Sequence, residues 1–200
     1  MTLTLWDMLT PGRLRKKRTR TRVDRPVVEA RRSQPRRADS PALRRYETMQ
    51  REMLARYNIR VRKWRSSTSG VAWQVTYTDG TVARLIESPR PRGPVSAAVF
   101  LHEIGHHAIG FGVYRPRCLE ELKAWCFSLD EMEKWDIAMT DRVRKRVHES
   151  LVYAVDKAKR RGLKRLPVPL IPYAAPYAAS DRGPSTSWVD PRTSDASGPS

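Results

Sequence analysis

Near the middle of the chain an apolar segment, Val95-Ser96-Ala97-Ala98-Val99-Phe100-Leu101, runs directly into His102-Glu103-Ile104-Gly105-His106-His107. Arg92-Gly93-Pro94 supplies a helix entry, with Pro94 suited to the first helical position. Gly110 and Gly112 supply the exit. A helix between them is apolar all round, with Val95, Ala98 and Val99 on the histidine side and Phe100, Leu101 and Ile104 on the others. A helix of that kind sits at the centre of a fold. Two imidazoles and a carboxylate there are costly to bury unless something pairs with them.

The spacing says what that partner is. Residues four apart on a helix stand one above the other, so His102 and His106 can face a single cation. Glu103 is turned by about 100° from His102, placed to reach a bound water rather than to ligate. H-E-x-x-H is the arrangement of a zinc hydrolase: two neutral nitrogen ligands and a carboxylate base. The competing reading is a buried helix with internally satisfied histidines. His107 points away from the other two and is suited to a backbone carbonyl.

A catalytic zinc usually takes three protein ligands and keeps one open position. Downstream candidates are Cys118, Glu120, Glu121, Cys126, Glu131 and His148. A helix is expected from about Cys118 or Leu119 to Trp135, with Leu122, Trp125, Cys126, Leu129, Met132 and Glu133 on one side. At 100° per residue, Glu121 falls on the border of that apolar face and Glu120 falls nearly opposite, toward solvent. Phase therefore favours Glu121, with Cys118 as a rival and His148 as a hydrogen-bond donor or a packed core residue.

The rest of the chain frames this segment. Residues 40–57 predict a helix capped by Ser40 and Pro41, with Leu43, Tyr46, Met49, Met53, Leu54 and Tyr57 at three-to-four spacing. Over 59–86 the period changes to two. Ile59, Val61 and Lys63 alternate with Arg60, Arg62 and Trp64, and Val71, Trp73, Val75 and Tyr77 with Ala72, Gln74 and Thr76. Asp79-Gly80 is a strong hairpin signal, and Val82 to Ile86 returns. These predict a small three-stranded antiparallel sheet. A last helix is expected from about Thr140 to Arg161, with Val143, Val147, Leu151, Val155 and Ala158 inward and Gly162 as its stop. The fold class is α+β, with the domain at 40–163.

Both ends differ from this middle. Residues 1–39 hold a short apolar tag (1–10) followed by a basic block at 13–37, in which only Asp24 and Glu29 are acidic. Such a block cannot bury enough surface to fold alone. It reads as an arm that binds nucleic acid through phosphate neutralisation, or as a solvated tail. It carries no interleaved aromatics for base stacking. The formal charge of the whole chain, +18, strengthens attraction to polyanions without bearing on fold. Residues 164–200, rich in Pro, Ala and Ser, read as a disordered tail. The two cysteines, Cys118 and Cys126, stand about 12 Å apart along one helix, out of bridging range, and a reducing cytoplasmic setting is the simplest expectation. Val95–Leu101 is far short of a membrane span, and the N-terminal apolar residues precede the basic ones, unlike a signal peptide.

His102-Glu103-Ile104-Gly105-His106, followed by Glu121-Leu122-Lys123-Ala124-Trp125-Cys126-Phe127, resembles the ImmA/IrrE-type metallopeptidases of the gluzincin group. Their pattern is H-E-x-G-H, then E-x-x-A with a following Phe; Trp125 stands where the family often has Asn. The likeness extends over roughly 40–160, including the order of helix, small sheet, active-site helix and ligand-bearing helix. It implies a minimal zincin-like fold, Zn²⁺ held by His102, His106 and Glu121, Glu103 as general base, and a protein or peptide substrate, often a DNA-bound repressor. The alternative is a non-catalytic nucleic-acid-binding or regulatory protein on the same scaffold.

Overall fold

The computed structural model describes residues 40–174 and 189–193. The N-terminal tag, the basic block at 13–37 and most of the Pro-rich tail lie outside the described residues.

Helix α1 (Pro41–Arg56) begins as its cap residues require: Ser40 Oγ accepts from Leu43 N at 3.2 Å, and Pro41 takes the first position. Met49 and Met53 are fully buried, and Asn58, at φ 52°, turns the chain into the sheet. Strands β1 (Ile59–Arg65), β2 (Val71–Thr76) and β3 (Val82–Pro89) follow. The α+β class is as expected, but the sheet is mixed rather than antiparallel. Its order is β1-β3-β2, with β2 antiparallel to β3 through the Asp79-Gly80 turn and β1 parallel to β3. Period-two alternation is identical in the two kinds of ladder, so it cannot separate them. The consequence is geometric. The loop 66–70 must cross the end of β3 to join the two outer strands, a gap of about 9–10 Å at ordinary strand spacing.

A register shift between Val61 and Lys63 also changes parity along β1. After this bulge, Trp64 lies on the side of Phe100, with ring centroids 6.2 Å apart, yet stays 37% exposed, and Lys63 is exposed on the other side. The alternation that groups Lys63 with Ile59 and Val61 ends at Val61, because a bulge moves every later side chain to the other face.

Helix α2 (Pro94–Ile109) is the centre of the molecule. Ser96 Oγ accepts from Arg92 N and Gly93 N at 3.0 and 3.2 Å, closing its first turn, and Gly110, at φ 84°, ends it. Residues Ala97 to His107 are buried without interruption. α2 packs against the sheet, α1, α3 (Arg117–Lys134) and α4 (Asp141–Arg160). The α2–α3 contact is unusually close: a Cβ on Gly105 would lie 2.8 Å from the Ala124 carbonyl oxygen and 3.1 Å from Phe127 Cδ1. Ser128 Oγ donates to Ala98 O at 2.7 Å across the same seam. Leu122, Trp125, Leu129 and Met132 fill the core from α3. Glu133 turns outward and pairs with Arg192 at 2.7 Å, contrary to its expected side.

Thr140 caps α4, accepting from Val143 N, and Gly162, at φ 91°, follows its end. Val143, Val147, Leu151 and Val155 are buried as expected. The chain beyond 163 is not structureless throughout. Val168–Tyr173 form a 3-10 helix whose Leu170 and Tyr173 are fully buried, and Tyr173 Oη donates to Val189 O at 2.9 Å. Low-complexity composition hid two large apolar anchors three residues apart, enough to seat one 3-10 turn. No described helix is long and apolar enough to cross a membrane.

Candidate metal centre

The closeness of α2 and α3 builds the site. With no side chain at position 105 and only a methyl at 124, the helices approach until Glu121, one turn before Ala124, faces the two histidines. Glu121 Oε2 lies 3.3 Å from His102 Nε2 and 3.5 Å from His106 Nε2. One ligand atom from each of the three residues falls within 4.8 Å of the others. With metal–ligand bonds of 2.0–2.2 Å, the edge of a tetrahedral site is about 3.4 Å. The His-His-Glu triad lies close enough to hold a metal ion, and its donor set of two imidazoles and one carboxylate fits a divalent one.

Burial and charge act differently on the three groups. Burial pushes His102 down to about 4, so that the ring is a neutral donor near pH 7, with the Glu121 carboxylate opposing in part. Burial acts the same way on His106, but Glu121 and Glu103 outweigh it and raise that ring. Burial alone would raise Glu121; the two imidazoles hold it well below the usual carboxylate range. A carboxylate shared by two buried rings occupies the place a cation would neutralise.

The remaining sequence candidates separate. Glu103 is 5% exposed and burial lifts its carboxyl to about 8, with the His106 charge opposing. It does not join the three-residue cluster. His107 Nε2 lies 3.1 Å from Leu85 O, the backbone carbonyl its phase pointed to, and burial holds its ring near 4. Cys118 lines the cleft but stands outside the cluster. Glu131 is taken by Lys134 at 2.8 Å and Arg56 at 3.8 Å. His148 packs 5.3 Å from the Tyr173 ring, away from the cleft. Cys126 is likewise outside the cluster.

Glu120 overturns its expected position. It is fully buried, not solvent-facing: Oε2 accepts from Gly112 N at 2.7 Å, and Oε1 lies 3.5 Å from His106 Nδ1 without hydrogen-bond geometry. Helical phase describes only the helix itself. Here the loop between α2 and α3 folds back over the first turn of α3 and encloses its outer side. Glu120 thus stands behind His106, on the side of its second ring nitrogen. His102 is held differently, stacked on Trp125 at 4.2 Å and 24°.

Gly70 is a second residue that sequence reasoning missed. A Cβ there would lie 2.3 Å from Glu103 Oε1 and 2.6 Å from its Cδ and Cγ. The crossing loop that the mixed sheet demands therefore lays bare backbone over the carboxyl. The nearest sequence signal was Ser69-Gly70 itself, which reads as an ordinary loop.

The triad opens into a cleft of about 780 Å³ between the start of β2 and α4. β3 lies between two partners and has no free edge, so Val82–Ile86 cannot take up an extended ligand. The edge strand at the cleft is β2, through Val71 and Ala72. Comparison of the chain with protein-family models, with characterised proteins and with solved structures finds no match.

Proposed function

We propose that the chain is a zinc-dependent peptide hydrolase of the gluzincin kind, with His102, His106 and Glu121 as ligands and Glu103 as general base. The observation that carries this reading is the convergence of the three donors around one point, with a fourth, buried carboxyl beside them and outside the ligand set. The H-E-x-G-H and E-x-x-A segments that resemble ImmA/IrrE-type metallopeptidases are the same segments that meet across Gly105 and Ala124.

Bound zinc supplies Lewis acidity, bringing the pKa of water toward neutrality and polarising a carbonyl. Glu103 takes the proton of the attacking water and returns it to the leaving amine nitrogen. Bare backbone at Gly70 leaves room for the Glu103 carboxyl and confines where it can sit. The edge of β2 aligns an extended peptide by backbone pairing. The test is paired: Glu103→Gln keeps stoichiometric zinc and loses hydrolysis of a peptide that the wild type cleaves. Full activity of that variant defeats the assignment.

The charge of +18 favours a second reading for another part of the chain. Residues 13–37 act as a nucleic-acid-binding arm, or the whole serves as a non-hydrolytic regulator on a zincin-like scaffold. Deleting 1–38 separates these. Polyanion binding that falls steeply with salt should disappear while zinc binding and hydrolysis survive; a chain that never hydrolyses peptides leaves the regulator.

A further inference from the structure

The wall of the cleft facing the triad is one stripe of α4. Arg146, Ser150, Tyr153 and Lys157 recur there at three-to-four spacing, the neighbours of a single helix face, and Arg161, just past the end of the helix, continues the row. Its charge is not balanced locally. Glu149 also faces the cleft but has Lys145 3.8 Å away. Glu103 and Glu121 belong to the centre, and Arg117 is occupied by Glu120 and Glu121 at 3.3 Å each. Arg146, Lys157 and Arg161 make no ion pair among the described residues, and the Nε of Arg146 is buried without a hydrogen-bond partner. A buried guanidinium nitrogen left open beside a catalytic centre is a donor kept for something that enters. Tyr153, 61% exposed, lies between, with Lys157 Nζ 5.8 Å from its ring centroid.

From these observations we infer that the cleft takes an acidic peptide segment, with Arg146, Lys157 and Arg161 as its carboxylate-binding groups. The inference rests on the cleft being a peptide site, as argued above. Spacing sets the register. Arg146 and Lys157 are eleven residues apart, about 16 Å along the helix axis, which an extended chain covers in roughly five residues. A carboxylate near the scissile bond meets Arg146, and one about five residues away meets Lys157 and Arg161. A nucleic acid fits less well. Tyr153 is the only strongly exposed aromatic ring among the described residues that line the cleft, too few to stack successive bases.

The test measures binding without turnover. Full-length zinc-loaded Glu103→Gln protein is titrated with two fluorescent peptides of one sequence. One carries Glu at two positions five residues apart; the other carries Gln there. The Glu peptide should bind about tenfold tighter, in line with a few partly exposed ion pairs. Lys157→Gln/Arg161→Gln should abolish most of the difference, and Lys157→Glu/Arg161→Glu should reverse it, with zinc content and circular dichroism unchanged. Equal binding of the two peptides overturns the inference. A preference that survives the α4 substitutions also overturns it, by assigning the effect to charge elsewhere. So does a single-stranded oligonucleotide that binds more tightly than the Glu peptide and depends on the same residues. Failure of the hydrolase reading is seen separately, as wild-type protein that binds the Glu peptide through α4 and never cleaves it.

Discussion

Replacing Gly70 by alanine should disable Glu103 without touching a ligand. The added methyl carbon would sit 2.3 Å from Oε1 and 2.6 Å from Cδ and Cγ, whereas ordinary van der Waals contact begins near 3.4 Å. About 1 Å of relative movement must be found. Oε1 alone would yield easily at the tip of a flexible side chain, but Cγ and Cδ are also too close and Glu103 is only 5% exposed. The carboxyl and the 66–70 loop must therefore both shift. A misplacement of about 1 Å in a reacting group costs on the order of 100-fold in rate, or about 2.7 kcal/mol in the barrier. Hydrolysis of a fluorogenic peptide by Gly70→Ala should show kcat down about 100-fold with KM changed far less. Zinc content, read by mass spectrometry, should stay at one per chain, because His102, His106 and Glu121 are not contacted. A variant with wild-type kcat, and a crystal structure in which Glu103 has not moved, would refute the argument that bare backbone at position 70 sets the base.

Four further substitutions probe the frame of the site. Gly105→Ala gains up to about 1 kcal/mol of helix propensity but drives a methyl to 2.8 Å from the Ala124 carbonyl oxygen. Overpacking against backbone costs about 1–3 kcal/mol, so denaturant unfolding should show net destabilisation, with weaker zinc affinity as α3 is pushed away; an increase in stability would show the seam to be loose. Glu120→Ala and Glu121→Ala should part cleanly. The first removes the hydrogen bond from Gly112 N, which water can replace at this exposed glycine, and costs about 0.5–1.5 kcal/mol while zinc remains, and the second abolishes stoichiometric zinc; the reverse pattern would exchange their roles. In zinc-free protein, Glu103→Gln should stabilise the chain increasingly as pH rises. The folded carboxyl is raised from 4.5 to about 8, so between those values the native state binds the extra proton. Stability present below pH 4.5 is lost as pH climbs through 8. Glutamine has no such loss, and unfolding curves at pH 5 and pH 8 should diverge by up to a few kcal/mol; parallel curves would mean that burial does not raise the carboxyl.

Much of the centre was legible in the chain because it is written in short-range spacing. His102 and His106 share a face by helix periodicity alone, His107 must turn away from them, and Glu121 lies on the border of an apolar stripe whatever that stripe packs against. The caps at Ser40, Pro94 and Thr140 and the Asp79-Gly80 turn are equally local, since each is a contact between residues a few positions apart. Residues far apart in sequence behaved otherwise. Strand order, the parity change after Val61, the enclosure of Glu120 by the loop at Gly112, the docking of Leu170 and Tyr173, and the meeting of Gly70 with Glu103 each depend on where a distant segment comes to rest. The sequence by itself determined which side chains could serve a metal and on which faces of their helices they stand. Only the tertiary structure decided which carboxylate points at the rings, which stands behind them, and which cations line the opposite wall, because periodicity orients a side chain about its own helix axis, whereas packing between elements decides what that side chain meets.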